Sequence, residues 1–174
     1  MIFAIVGPSG AGKDTLIAGA LAARPDFRLV RRVITRPTES GGEDFDGVSA
    51  EEFLQRRDRG DFALHWEAHG LRYGLPKAQV EGPGDVIFNG SRAALPLAAK
   101  VFPGLRVVLV TAPDIILAAR LAARGRETPD DIRARLSRAP FQMPEGIAYQ
   151  TVINDASPEV GIARLLAALQ PVRA

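Results

Sequence analysis

The chain has 174 residues, 47% of them hydrophobic and 24% charged, which is the size and composition of one soluble globular domain. Its formal net charge of +2 is too small to indicate a nucleic-acid or membrane partner, and the absence of cysteine excludes disulfides and thiolate metal sites. We expect a cytoplasmic protein, because no basic segment precedes the N-terminal apolar run and no run approaches the roughly 20 residues of a membrane helix.

The first predicted element is an apolar strand at 2–6, which is followed by a glycine-rich turn ending in Lys13 and by a helix. This is the context of a phosphate-binding loop (P-loop). Its glycines let successive backbone N–H groups point inward, the helix N-terminus adds a positive dipole end, and Lys13 adds a charge for the outer phosphates. The predicted nucleotide-binding residues are Gly7, Pro8, Ser9, Gly10, Ala11, Gly12, Lys13, Asp14 and Thr15.

The loop departs from the usual G-x-x-x-x-G-K-[ST] pattern at Asp14, where Ser or Thr ordinarily binds the metal. Two metal-binding arrangements are open. Asp14 binds Mg²⁺ directly, since hard cations prefer oxygen ligands, or Thr15 takes part.

Further strands alternate with helices along the rest of the chain. The predicted strands lie at 30–35, 62–68, 86–88, 106–110 and 151–153. Ser49 and Ser157 are predicted N-caps of two of the helices. The alternation predicts an α/β fold with a parallel sheet and helices on both faces. Two clusters of arginine, at 31–32 and 56–59, are interpreted as solvated faces.

Ligands of such sheets bind beyond the carboxyl ends of the strands. The residues predicted at those ends are Gly7, Thr35, Asn89, Thr111 and Asn154. We therefore expect the functional site at this edge.

One P-loop kinase domain is predicted over 1–174. Its core comprises 1–35 and 81–174, the irregular stretch at about 36–80 is an inserted acceptor-binding region, and a lid lies at about 124–131.

The order of these motifs resembles the guanylate kinase-like family of P-loop kinases over nearly the whole chain. Besides the loop, the shared segments are 35–36, 48–53, 66–74, 120–125, 135–136 and 154–155. Within that family the chain is most similar to the branch that phosphorylates ribose 1,5-bisphosphate to phosphoribosyl diphosphate in phosphonate breakdown. The segments that carry this closer similarity are 34–36, 65–74, 89–96 and 124–127.

The departures from guanylate kinases fall where those enzymes bind GMP. Their second arginine is Glu39 here, the glutamate that accepts hydrogen bonds from guanine is His65, and a phosphate-binding tyrosine is Phe45. Their Asp-x-Asp motif is replaced at 89–91. These changes argue against GMP as the acceptor.

The resemblance implies ATP and Mg²⁺ as cofactors and a small sugar phosphate as the acceptor. It implies that Lys13 and the lid arginines Arg124 and Arg135, with Arg126 beside them, act on the transferring group. The implied acceptor-binding residues are Arg36, His65, Tyr73, Asn89, Ser91 and Arg92.

Two pairs of residues have either a binding role or a structural role. His65 and His69 bind ribose hydroxyls or are structural. Asn154 and Asp155 border the adenine pocket or form a strand-to-helix turn.

Two other functions remain open at this point. One is a guanylate kinase or another nucleoside monophosphate kinase, which His65 and Glu39 disfavour. The other is a non-catalytic guanylate kinase-like binding module. Such modules typically lack a working P-loop, whereas this loop is intact through Lys13.

Overall fold

A computed structural model describes residues 1–40, 43–125, 127–138 and 141–170, with the side chains of Ser40, Arg135 and Arg138 outside the description. The strands are β1 Ile2–Val6, β2 Phe27–Leu29, β3 Val33–Ile34, β4 Asp46–Gly47, β5 Phe62–Ala68, β6 Leu71–Pro76, β7 Asp85–Asn89, β8 Arg106–Thr111 and β9 Gln150–Ile153. The helices are α1 Lys13–Ala23, α2 Ala50–Asp58, α3 Lys77–Val80, α4 Leu95–Val101, α5 Asp114–Ala123, α6 Pro129–Arg138 and α7 Pro158–Ala168, with 3-10 turns at Thr38–Ser40 and Arg92–Ala94.

The larger sheet is parallel and has five strands in the order β2-β7-β1-β8-β9. Successive side chains of the central strand β1 enter different cores, with Phe3 and Ile5 on one face and Ala4 and Val6 on the other. Both faces are covered, which is why the strand reads as a continuous apolar run. The predicted parallel α/β sheet is confirmed.

The smaller sheet has the order β4-β3-β6-β5, and its longest pairing is the antiparallel hairpin of β5 and β6. Across this hairpin Trp66 stacks on Tyr73, with ring centroids 5.3 Å apart and ring planes 6° apart. Trp66 and Tyr73 share a buried cluster with Val6 and Phe88 of the parallel sheet. This packing places the hairpin beside the strand ends of the larger sheet.

The predicted strand at 30–35 is wrong in extent and in place. Only Val33 and Ile34 are extended, and they pair in the smaller sheet. The edge of the parallel sheet is instead β2, a three-residue strand with one partner that is too short to give a periodic pattern. Thr35 therefore does not lie at the parallel edge, and its hydroxyl accepts a hydrogen bond from the N–H of Arg72 at 2.9 Å.

The two predicted helix caps are confirmed. The Ser49 hydroxyl accepts from the N–H of Glu52 at 3.1 Å, and the Ser157 hydroxyl accepts from the N–H of Val160 at 3.4 Å. None of the helices in the described ranges is long and apolar enough to span a membrane.

Candidate active site

The glycine-rich loop leaves β1 at the carboxyl edge of the parallel sheet and leads into α1. A Cβ at Gly7 would clash with the carbonyl oxygen of Val110 on β8, so only glycine fits this close approach. Gly10 and Gly12 have φ angles of 86° and 85°, left-handed conformations that other residues rarely adopt. The loop thus has the strand–turn–helix geometry that the sequence predicts, and phosphate binding by its residues stays a prediction.

Two side chains hold the loop in this shape. Asn154, which is 6% exposed, donates its side-chain amide to the carbonyl oxygen of Ala11 at 2.8 Å. Arg120 donates to the carbonyl oxygens of Gly10 and Ala11, each at 3.3 Å, and to that of Asn154 at 2.7 Å. The end of β9 and helix α5 are therefore tied to the backbone that would surround the phosphates.

Lys13 lies across the mouth of the loop. Its Nζ donates to the carbonyl oxygens of Gly7 and Pro8, at 2.8 and 3.3 Å. Burial lowers its pKa to about 8, Asp14 opposes that change, and Arg32 and Arg124 add to it. Among the described residues, the hydrogen-bond partners of Lys13 are backbone carbonyls, and such an arrangement suits a site for nucleotide phosphates.

A cavity of about 660 Å³ opens in front of this loop, at the ends of β1, β7 and β8. The hairpin of β5 and β6 also lines it, as do residues of helices α5 and α6. The polar lining residues include Ser9, Lys13, Arg32, His69, Tyr73, Asn89, Ser91, Arg92, Thr111 and Asp114. Leu117, Leu121, Leu136 and Phe141 supply an apolar wall.

Four of the six predicted acceptor-binding residues line this cavity: Tyr73, Asn89, Ser91 and Arg92. The Ser91 Oγ is buried and has no hydrogen-bond partner in the described part of the chain. The Arg92 guanidinium lies 4.6 Å from the centre of the Phe141 ring and donates to the carbonyl oxygen of Gln142 at 3.4 Å. These side chains are placed to receive a polar ligand.

The structure does not bring Arg36 and His65 to the cavity. The Arg36 guanidinium lies 4.2 Å from the centre of the buried Phe45 ring. His65 is exposed, because the alternation of β5 turns it to the face opposite Leu64 and Trp66. The contact of these two residues with an acceptor stays a prediction, without support from this geometry.

The histidine that reaches the cavity is His69. It has a φ angle of 53° and Gly70 has one of 73°, so together they form the two-residue turn between β5 and β6. Histidine is among the few non-glycine residues enriched in this conformation. The turn carries the His69 side chain to the cavity wall.

Of the three arginines predicted to act on the transferring group, the structure describes the side chain of Arg124. Arg124 is exposed at the end of α5, and its charge lowers the pKa of Lys13. Arg126 lies outside the described residues, as does the side chain of Arg135. The roles of all three stay predictions.

The residues considered for the metal lie at the start of α1. The exposed Asp14 carboxylate accepts from the side-chain amide of Asn89 at 3.2 Å, and Thr15 is exposed beside it. Within the described ranges no three His, Cys, Asp or Glu side chains cluster as a metal site. One carboxylate fits Mg²⁺, which usually keeps waters and substrate phosphates as its other ligands.

Asn154 and Asp155 do not line the cavity. Asn154 braces the loop, and Asp155 is paired with Arg164 at 2.8 Å, which holds the pKa of the Asp155 carboxyl below its usual value. These contacts agree with the alternative that the two residues form a strand-to-helix turn. That they border the adenine pocket stays a prediction.

Sequence reasoning missed Arg32. Its interpretation as part of a solvated face is wrong, since Arg32 is 7% exposed and lines the cavity, whereas its neighbour Arg31 is exposed. Its partner Glu43 lies in a polar loop, and the two residues are not separated by a spacing typical of a helix or a strand. A local pattern therefore contained no signal for the pairing.

The parallel sheet, the P-loop and the cavity beyond the strand ends define a P-loop kinase fold of the guanylate kinase type. A guanylate kinase from Anaplasma phagocytophilum matches with a TM-score of 0.64 and 19% identity over 97% of this chain and 84% of that one. A gluconokinase from Sinorhizobium meliloti matches with a TM-score of 0.53 and 14% identity over 96% and 90%. These likenesses establish the fold alone.

The sequence comparison is more specific, although no protein-family model matches. Ribose 1,5-bisphosphate phosphokinase PhnN of Ruegeria sp. is 46% identical over 99% of this chain and 93% of its own length. The protein of the same name from Agrobacterium fabrum is 46% identical over 95% and 94%. The chain belongs to the family of ribose 1,5-bisphosphate phosphokinases.

The family also contains longer proteins. A bifunctional ribose 1,5-bisphosphokinase-thymidine phosphorylase of Cupriavidus pinatubonensis is 47% identical over 97% of this chain, which spans 29% of that relative. This chain therefore matches a segment of the bifunctional protein that is about as long as a single kinase domain.

Proposed function

We propose that this kinase transfers the terminal phosphoryl group of ATP to ribose 1,5-bisphosphate, giving 5-phosphoribosyl 1-diphosphate and ADP. The observation that carries the proposal is that one and the same cavity is lined by Lys13 of the P-loop, by Ser91 and Arg92, and by the hairpin residues His69 and Tyr73. The names of relatives that match at 46% identity over nearly their full length support the same reaction.

On the nucleotide side, the backbone N–H groups of the loop and the Lys13 ammonium hold the β- and γ-phosphates of ATP. Mg²⁺, when bound, neutralises phosphate charge, and Asp14 supplies its protein ligand directly or through water. Arg124 and Arg135 close over the transferring group. Hydrogen bonds from Arg120 and Asn154 hold the carbonyl groups of Gly10 and Ala11 in place.

On the acceptor side, Arg92 binds a phosphate group and Ser91 donates a hydrogen bond from its otherwise unpartnered hydroxyl. His69 and Tyr73 contact the ribose or its phosphates from the hairpin wall. Arg36 and His65 have no place in this arrangement, because they do not line the cavity.

The acceptor atom is an oxygen of the 1-phosphate, which is already ionised near neutral pH. No sugar hydroxyl has to lose a proton, so the reaction needs no strong general base. The described lining residues agree with this requirement, since Asp114 is the one carboxylate among them. Transfer then depends on positioning and charge neutralisation.

GMP is the less favoured acceptor. Glu39 and His65 stand at the positions where guanylate kinases bind GMP, and both are exposed outside the cavity wall, so the described cavity has no side chain from these positions to bind guanine. We further propose that the protein acts in the cytoplasm on small phosphorylated metabolites.

Phosphorus NMR of a reaction with ATP, Mg²⁺ and ribose 1,5-bisphosphate tests the proposal. We expect the resonance of the 1-phosphate to be replaced by the coupled pair of a diphosphate ester, with ADP formed in equal amount. Formation of ADP with inorganic phosphate in place of the diphosphate would contradict it.

A further inference from the structure

We propose that Arg32 binds a phosphate group of the acceptor and that Glu43 is the positioning residue that holds Arg32 for this task. This inference rests on the proposed function, because it assigns a specificity-determining residue to the same acceptor site. Neither residue is identified by the motifs of the sequence.

Arg32 is a buried cation at the wall of the cavity. It lies immediately before β3, and its carbonyl oxygen accepts from the N–H of Asp46 at 2.8 Å, which anchors its backbone to β4. Its side chain is only 9% exposed, yet it lines the cavity together with His69 and Tyr73. A guanidinium in this position has lost most of its water and is directed by protein contacts.

Glu43 and Tyr73 fix the orientation of that guanidinium. The Arg32 Nε donates to one Glu43 carboxylate oxygen at 3.0 Å, and its Nη2 donates to the other, so the pairing is bidentate. The guanidinium carbon lies 4.9 Å from the centre of the Tyr73 ring. An arginine has five N–H donors, and this pairing uses two of them, which leaves donors for a ligand.

Stability alone does not account for this pair. Arg32 is buried and the Glu43 side chain is 17% exposed, so the hydration that the two charges lose offsets much of their attraction, and such a pair is often no more stable than an apolar replacement. Here the pair stands at the wall of a cavity that already contains the P-loop lysine. The geometry therefore points to anion binding, for which a preoriented guanidinium is suited.

The charges of Arg32 and Glu43 act on the nucleotide side of the same cavity. Arg32 lowers the pKa of Lys13 and Glu43 raises it. The cavity is thus bordered by Lys13, Arg32 and Arg92, opposed on its lining by Asp114. A sugar bisphosphate carries two dianionic groups, and Arg32 supplies a cation for a second phosphate that a nucleoside monophosphate does not have.

The test compares Arg32→Met with Arg31→Met in the full chain. Arg31 is the adjacent arginine, but it is exposed and pairs with Asp44 on the surface at 3.0 Å. Binding of ribose 1,5-bisphosphate is measured calorimetrically with a non-hydrolysable ATP analogue present, and turnover is measured with ATP. We expect Arg32→Met to weaken acceptor binding on the order of 10- to 100-fold, the scale for hydrogen bonds to a charged group. Arg31→Met should change binding less than about twofold, as for an exposed pair.

Binding of ribose 1-phosphate and of ribose 5-phosphate then identifies the phosphate that Arg32 contacts. The monophosphate that carries this group should bind more weakly to Arg32→Met than to the parent protein, and the other should be unaffected. Far-UV circular dichroism and thermal unfolding serve as the check that each variant is folded.

Glu43→Gln tests the positioning role, with Asp44→Asn as its surface control. The neutral amide keeps the shape but loses the bidentate ion pair, so we expect a rise in KM for the acceptor with kcat nearly unchanged. In Arg32→Gly, added guanidinium should restore turnover, and in Arg32→Gly with Glu43→Gln it should not. A purely structural role would give no such rescue.

The outcomes separate this inference from the proposed function. If the parent protein binds and phosphorylates ribose 1,5-bisphosphate and folded Arg32→Met binds it equally well, the inference is overturned and the function stands. If the parent protein neither binds nor phosphorylates it, the proposed function fails, and the inference fails with it. Should Arg32→Met not fold, Arg32→Lys takes its place, since it keeps the charge and lacks the fork.

Discussion

The side-chain amide of Asn154 donates to the carbonyl oxygen of Ala11 at 2.8 Å, across 143 positions of the chain, and so joins the end of β9 to the P-loop. We expect Asn154→Leu, which has similar size and no donor, to destabilise the protein by about 1–3 kcal/mol and to weaken ATP binding. Thermal unfolding and nucleotide titration measure the two effects. Asp155→Asn, at the neighbouring position, should change the melting temperature only slightly, because its ion pair with Arg164 is exposed and contributes little. Equal melting temperatures of Asn154→Leu and the parent protein would show that the brace is dispensable.

Lys13 is one of three lysines in the chain, and the other two, Lys77 and Lys100, serve as a comparison. Lys13→Ala should reduce kcat by on the order of 100-fold or more, since we propose that Lys13 directs its charge at the transition state. Stability should be unaffected or slightly improved, because Lys13 loses hydration on burial. Lys100→Ala, at the exposed end of α4, should keep full activity. Near-normal turnover by Lys13→Ala would contradict the assignment of the loop.

Because burial lowers the pKa of Lys13 to about 8 in the free protein, we expect ATP binding to depend on pH. Bound phosphates favour the charged ammonium and raise this pKa again. Above pH 8, where free Lys13 is largely neutral, binding must take up a proton, so ATP affinity should fall as the pH rises. Calorimetry at pH 8.5 in buffers of different ionisation enthalpy measures the uptake. Lys13→Met should show none, and an uptake that is equal in this variant would assign the proton to another group.

The metal ligand at the start of α1 can be identified by paired variants. Asp14→Ala should raise the Mg²⁺ concentration for half-maximal rate, because we propose its carboxylate as a hard oxygen ligand of the metal. Thr15→Val should have little effect on that concentration if Asp14 replaces the usual hydroxyl. The reverse result would assign the metal to Thr15 and leave Asp14 as a carboxylate favoured by the helix N-terminus.

The parallel sheet, the loop and the helix caps could be predicted from sequence because each depends on local chemistry. An apolar run followed by glycines and Lys13 needs no distant information, and neither does Ser49 before a helix. The family resemblance added the predicted acceptor-binding residues, of which Tyr73, Asn89, Ser91 and Arg92 line the cavity. It could not show that Arg36 lies over Phe45.

The remainder of the site depends on contacts between distant segments. Arg32 and Arg31 are the same residue type at adjacent positions, but their side chains point in different directions. The Arg32 side chain is held by its contacts with Glu43 and Tyr73. Which of two histidines meets the cavity was decided by the turn at His69 and by the alternation of β5. Composition and spacing carry no information on such choices.

The most direct test of the account is the ratio of kcat/KM for ribose 1,5-bisphosphate to that for GMP, at fixed ATP and Mg²⁺, with AMP and ribose 5-phosphate alongside. A site built to hydrogen-bond one group of its substrate rejects an analogue without that group by factors of about 10⁴ or more. GMP lacks the second phosphate of the sugar bisphosphate, so we expect a preference of that order for the sugar bisphosphate. A preference for GMP would contradict the account and return the chain to guanylate kinase activity. Binding of ATP with no turnover of any acceptor would instead favour a non-catalytic module.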